Sequence, residues 1–187
     1  MASLSKAEAA RVARFPKSSN SKRFAVERVA LREILSGITG RTAADIELVE
    51  DGNGRVRIAS HEVSISLAHA GLWIIVAVSR TSIGLATASA SFRRGAHQHD
   101  HAEQRTLRAR VQHASLVEAH ALSPHETHAT LLADDAHTSY EFDADRRWHL
   151  VDLPMAGANL LSLAAPYPIT RVHAYGWTSS SGYMLTC

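Results

Sequence analysis

Three side chains of this sequence stand where they could give or take a proton beside apolar segments: His69, Glu118 and Asp152. An imidazole changes charge near neutral pH, and a carboxylate serves as a general acid or base when its surroundings tune it. His69 follows the apolar run Ser64-Ile65-Ser66-Leu67, and Asp152 follows Trp148 and His149. His69 reads equally as a core histidine that hydrogen-bonds the end of a strand. Three arginines, Arg28, Arg32 and Arg55, carry forked donors that match phosphate or carboxylate oxygens. Each also reads as a solvated surface charge.

Eight of the twelve histidines lie between His97 and His137. His97, His99 and His101 alternate, which on a strand would put them on one face. Imidazole is a good zinc ligand. The run HQHDH resembles the H-x-H-x-D-H of metallo-β-lactamase-like hydrolases, but it is one residue short and lacks their βαβ setting. The expectation is therefore a polar connection, opened by Arg93-Arg94-Gly95, and no functional metal site.

These groups need elements to hold them. Apolar spacing at Phe24, Leu31, Ile34, Leu35 and Ile38 predicts a helix over Ser21–Leu35, stopped by Gly37 and Gly40. Leu107, Val111, Leu116 and Val117 predict a second helix, Glu103–Leu122, ended by Ser123-Pro124. Strands are expected at Asp45–Val49, Arg55–Ala59, Ser64–Leu67, Leu72–Val78, from Ile83, and at Thr127–Leu132 and Tyr140–Asp143. Asp51-Gly52-Asn53-Gly54 is a hairpin turn signal. An internal repeat runs through this order. Ala70-Gly71, Ile74-Ile75, Ala77-Val78 and Ile83 align with Ala156-Gly157, Leu160-Leu161, Leu163-Ala164 and Ile169 at a constant offset of 86. The pattern predicts an α+β fold of two pseudo-twofold-related halves, each a helix on a small, mostly antiparallel sheet. The expected divisions are an N-terminal helical segment (1–20), a first half (21–95) and a second half (96–187) that begins with the histidine-rich connection. A cleft between the halves is the expected ligand site.

The chain has 187 residues, a net charge of +2 and one cysteine, Cys187. That length suits one domain or two small ones. No basic stripe interleaves with aromatics, so nucleic acid is not an expected partner. One cysteine allows neither an intramolecular disulfide nor a C-x-x-C metal site, which fits a reducing compartment. The first fifteen residues lack the apolar core of a signal peptide. The longest apolar run, Leu72–Val78, is too short to span a bilayer. The expectation is a cytoplasmic protein with no membrane partner.

The stretch Ser66-Leu67-Ala68-His69-Ala70, then Ala77-Val78, then Gly84-Leu85-Ala86-Thr87-Ala88 resembles the S-L-S-H-S, A-V and G-x-D-x-E series of the 4'-phosphopantetheinyl transferases. Arg28-Val29-Ala30-Leu31-Arg32-Glu33-Ile34-Leu35 is similar to that family's R-x-x-L-R-x-x-L helix. Gly54-Arg55-Val56 stands where the family has G-K-P, and Ala114–Ala119 where it has W-x-x-K-E-A. The resemblance covers about Arg23 to Arg171, and the monomeric branch of the family is duplicated in the same way. It implies transfer of phosphopantetheine from coenzyme A to a carrier-protein serine, assisted by magnesium on three carboxylates. Magnesium prefers hard oxygen ligands. Here two of those acids are Ala86 and Ala88, the motif tryptophan is Ala114 and its lysine is Val117. Only Glu118 remains. The segment between the two motifs is also short.

The resemblance implies that His69 contacts a coenzyme A phosphate. Ser66, Arg28, Arg32 and Arg55 are the further candidates for such contacts. The departures imply a fold kept without magnesium-dependent transfer. The expected function is a repurposed, metal-independent tailoring enzyme. It would carry out cyclisation, dehydration or isomerisation on a polyketide-type, carrier-bound or CoA-like acyl substrate, with His69, Glu118 or Asp152 in acid–base roles. No cofactor is required on this reading, though coenzyme A or pantetheine could bind. The partners are a small-molecule or carrier-bound acyl substrate and an acyl or peptidyl carrier protein. The competing readings are a non-catalytic binder of carrier proteins or coenzyme A, and a surviving transferase with a rearranged metal site.

Overall fold

The computed structural model describes residues 4–16, 18–52, 54–60, 62–89, 100–119, 130–133, 138–143, 146–155, 159–178 and 182–186. For 100–102, 130–133, 138–143, 146, 174–178 and 182–186 it describes the backbone alone. The chain opens with α1 (Lys6–Arg14), started by a reciprocal capping box. The Glu8 N–H donates to Ser5 Oγ at 3.2 Å, and the Ser5 N–H donates to Glu8 Oε2 at 2.7 Å. No residue of α1 is buried, so apolar packing does not hold it in place. Charge does. Glu8 Oε2 lies 2.9 Å from Arg32 Nη1 and Glu8 Oε1 lies 3.9 Å from Arg28 Nε.

Both arginines belong to α2 (Ser19–Thr39), which runs through Gly37 and ends at Gly40. Gly40 adopts the left-handed conformation (φ 71°) and donates its N–H to Ser36 O at 3.0 Å. Gly37 therefore does not stop the helix; only the second glycine has the required backbone. The buried stripe also differs from the expected one. Leu31 and Leu35 are fully buried, but Glu27, Arg28 and Arg32 are buried beside them, while Ile38 is exposed.

A 3₁₀ turn (Ala43–Asp45) leads into the hairpin β1 (Leu48–Glu50) and β2 (Val56–Ile58). Leu35 packs against Ile46 and Ile58 to form a core beneath α2. Next come the antiparallel pair β3 (Ser64–Ala70) and β4 (Trp73–Ser79), then β5 (Gly84–Ser89). The sides of β3 divide by alternation. Ser66, Ala68 and Ala70 are buried, while Ile65 packs on the core beneath α2.

The predicted second helix is α3 (Asp100–Glu118). His101 thus lies on a helix rather than a strand, and His97 and His99 fall outside the described residues. Antiparallel strands β6 (Thr130–Ala133), β7 (Thr138–Asp143), β8 (Arg146–Leu153) and β9 (Asn159–Ala165) follow. A final hairpin pairs β10 (Ala174–Thr178) with β11 (Gly182–Thr186). The main sheet has the order β5-β9-β8-β7-β6. The sequence places β5 in the first half, yet it hydrogen-bonds to β9, with Leu85 opposite Leu163.

The fold is α+β with small antiparallel sheets. β4 and β9 lie 86 positions apart at both ends, but β4 belongs to a two-stranded ribbon and β9 to the inside of the five-stranded sheet, so the strand order does not establish two pseudo-twofold-related halves. No helix among the described residues is long and apolar enough to cross a membrane.

Two hydrogen bonds and an apolar cluster of Ala68 with Leu85, Leu161 and Leu163 join β3 to β5. The Leu85 N–H donates to Ser66 Oγ at 2.9 Å, and Thr87 Oγ1 donates to His69 O at 2.8 Å. These side-chain bonds hold β3 alongside β5 in the absence of a backbone ladder. On the other face of β5, Gly84 meets the backbone of α3. A Cβ there would lie 1.9 Å from Ser115 O and 2.4 Å from the Ala119 nitrogen. Only a residue without a side chain permits that approach. Gly84→Ala is expected to destabilise the fold by about 3 kcal/mol, read from urea unfolding, because neither backbone can yield locally.

The Glu8 anchor predicts a pH dependence. Burial raises the Glu8 pKa, but hydrogen bonds from the Ser5 N–H and Arg32, and the Arg32 charge, outweigh it. The carboxyl therefore titrates below its ordinary 4.5. A depressed acid contributes stability that is complete above its unfolded value and lost as pH falls through its folded value. Unfolding midpoints measured from pH 6 down to pH 2 should fall less steeply in E8Q than in the native chain.

Candidate functional site

A cleft of about 740 Å³ opens between α2, the β1–β2 hairpin, β3, the β4–β5 turn and the end of α3. Of the sequence candidates, Arg28, Arg55, Ser66, His69 and Glu118 line it. Arg32 and Asp152 do not, nor do Ala86 and Ala88.

Each residue's position follows from its element. Arg32 is 4% exposed, and its donors go to Glu8 and, through Nε, to Ile46 O at 3.1 Å. It holds α2 to the loop before β1 and has no access to the cleft. Arg28 is buried too, bonded to Glu50 at the end of β1. Glu50 also accepts from Arg11 Nη1 at 3.1 Å. The Arg11 and Arg28 guanidiniums lie 4.3 and 4.8 Å from the Phe24 ring centroid, a cation–π arrangement. Asp152 sits on β8 beside α3, bonded to Arg108 and accepting from Gln112 Nε2 at 3.2 Å. It lies opposite Ser162 of β9, which in turn lies opposite Ala86 of β5. The three expected acid–base groups are therefore not one constellation.

Glu118 enters the cleft from the last turn of α3, where it is already paired. Arg55 Nε donates to Glu118 Oε2 at 3.0 Å, and Arg55 Nη2 donates to Val117 O at 3.1 Å. Arg55 is aimed by the turn before it, since its own N–H donates to Asp51 Oδ1 at 3.0 Å. A magnesium ion needs several oxygen ligands. Of the positions matched to metal ligands only Glu118 is a carboxylate, held by a guanidinium, while positions 86 and 88 carry methyl groups; the other carboxylates of the cleft, Glu27 and Glu50, are held by His69 and by Arg11 and Arg28. These residues do not fit the ion. Among the described residues no group of three His, Cys, Asp or Glu side chains could hold a metal.

Ser66 lines the cleft, but its Oγ accepts from Leu85 and ties β3 to β5. His69 projects from the opposite face of β3, 39% exposed, with Nε2 2.9 Å from Glu27 Oε2. Glu27 also lines the cleft and is 4.0 Å from Arg28 Nε. Sequence reasoning missed Glu27. The signal was there: Glu27, Leu31 and Leu35 form one i, i+4 row, so an acid heads the buried stripe of α2. Arg80, exposed in the turn after β4, adds another cation to the lining. Trp148 packs against Leu116, Ala119, Leu150 and Ala164 and belongs to the core.

No family model matches the chain, and no curated protein matches it either.

The Arg55–Glu118 pair links the first hairpin to α3 across 63 positions of sequence. It is partly exposed, so its worth is modest. A double-mutant cycle with Arg55→Met and Glu118→Gln should give a coupling of about 1 kcal/mol in unfolding free energy.

Proposed function

We propose that this chain is a diverged relative of the phosphopantetheinyl transferases that has lost magnesium-dependent transfer. It acts as a metal-independent tailoring enzyme, for cyclisation, dehydration or isomerisation, on a polyketide-type, carrier-bound or CoA-like acyl substrate. The observation that carries this reading is the Glu118–Arg55 pair at 3.0 Å. The one acid that the resemblance matches to the metal-binding set is neutralised by a guanidinium, and the two other matched positions, Ala86 and Ala88, carry no acid and do not line the cleft. A fixed guanidinium is a cation that needs no metal, and it can stabilise developing negative charge.

The cleft supports the reading in a second way. It holds acid and base groups together with arginines, a combination suited to proton transfer on an anionic or polarised acyl group. Coenzyme A, whose phosphates are anionic, is a fitting ligand for a lining in which five arginines outnumber three glutamates, and an acyl or peptidyl carrier protein would deliver the substrate. No cofactor is needed for chemistry of this kind.

The test is the intact mass of an apo carrier protein after incubation with this protein, coenzyme A and Mg²⁺, beside an active transferase as control. The carrier mass should stay unchanged with this protein across several carriers, while the control adds phosphopantetheine. A phosphopantetheine adduct would overturn the reading and establish a surviving transferase.

A further inference from the structure

Glu27 and His69 are the pair in the cleft whose geometry says most about proton movement. A carboxylate only accepts hydrogen bonds, so the 2.9 Å contact between Glu27 Oε2 and His69 Nε2 puts the imidazole proton on Nε2. In the neutral ring the other nitrogen, Nδ1, then carries the lone pair. It has no hydrogen-bond partner among the described residues. The ring is open to the cleft at 39% exposure, while the carboxylate behind it is only 11% exposed. The backbone on which His69 sits is fixed too, because its carbonyl accepts from Thr87 Oγ1 at 2.8 Å. A base whose tautomer is set by a shielded acid, on an anchored strand, is pre-organised for proton abstraction.

We propose that Glu27 and His69 form an acid–base pair in which Nδ1 of His69 takes the α-proton of an acyl thioester. His69 is the catalytic residue and Glu27 is its positioning residue. The thioester rests on the function proposed above; the pairing rests on the geometry alone. In the step, the Cα–H bond breaks, the proton passes to Nδ1, and the electron pair moves into the carbonyl to give an enolate. Return of that proton to another carbon of a conjugated chain completes an isomerisation. No oxidant, reductant or further reactant is consumed.

An electrophile placed where the α-carbon would sit reads the geometry directly. Bromoacetyl-pantetheine should alkylate His69 in the full chain carrying Cys187→Ser. A bond forms from the reacting nitrogen to the CH₂ carbon as bromide leaves. After hydrolysis, the His69 peptide should contain the Nδ1-substituted carboxymethylhistidine. E27Q keeps the size of the side chain, and it should label His69 about tenfold more slowly and at both nitrogens. His69→Gln should remove the adduct at that peptide. In the native chain, ¹⁵N shifts of the His69 ring should report a proton on Nε2 and a bare Nδ1.

Alkylation at Nε2, equal rates in E27Q and the native chain, or a mixed tautomer in the native ring would each overturn the pairing. Equal labelling by bromoacetyl-pantetheine and simple bromoacetamide, with the Nδ1 preference kept, would support the base and its positioning residue but overturn the pantetheine thioester as substrate. A phosphopantetheine adduct in the carrier experiment would overturn the function reading separately.

Discussion

The backbone contact between α3 and β5 at Gly84 sets the geometry of everything around it. Ordinary helix-on-sheet packing keeps a layer of side chains between the two. Here the missing side chain lets Ser115 O and the Ala119 nitrogen close directly onto the strand. Ser82 Oγ, two residues earlier, donates to Ala119 O at 2.7 Å and pins the end of the helix to the same place. Once the last turn of α3 is fixed there, Glu118 has one direction in which to point, and it meets Arg55. Leu116 and Ala119 meanwhile seat on Leu150 and Ala164 of the sheet. One absent methyl group thus determines both the packing of the core and the polar chemistry at its rim.

The opposite wall of the cleft is built on a different principle. Two buried arginines one turn apart, Arg28 and Arg32, would repel each other if left uncompensated. Glu8 comes from α1, Glu50 from β1 and Glu27 from α2 itself, so three elements supply the balancing charge. That explains how α1 docks without burying a residue. It also explains why the arginines that looked ready for a phosphate are largely committed to protein partners. Of the residues expected to meet a phosphate, the imidazole of His69 stays the most exposed, backed by an acid that the same network helps to hold.

Local pattern made much of this readable before the fold was seen. The run of apolar residues around His69, the turn at Asp51–Gly54 and the start of β5 at Gly84 all carry their structure in neighbouring residues. The helix spanning 19–39 was also visible, though Gly37 looked like its end. Partnership was not visible. Glu118 finds Arg55 at 63 positions' distance, and His69 finds Glu27 at 42; no local period encodes such pairs. Arg32 and Asp152 were drawn into the expected site by residue type, but their elements face elsewhere. The expected duplication is another matter of partnership: β4 pairs with β3 alone, whereas β9, 86 positions on, lies between β8 and β5 and takes β5 from across the expected boundary.

The seam between β3 and β5 is closed by two hydroxyl groups, Ser66 Oγ and Thr87 Oγ1, rather than by a run of amides. A ladder of amides would set the register of every residue along the seam, whereas two hydroxyls set it at two points, and Ala68, Ile75 and Ala77 fill the space between by packing on Leu85, Leu161 and Leu163. The β3–β4 ribbon is therefore seated on the main sheet by side chains alone. His69 stands on that ribbon and Glu118 on α3, so the spacing between imidazole and guanidinium is set by side-chain size rather than by a backbone register.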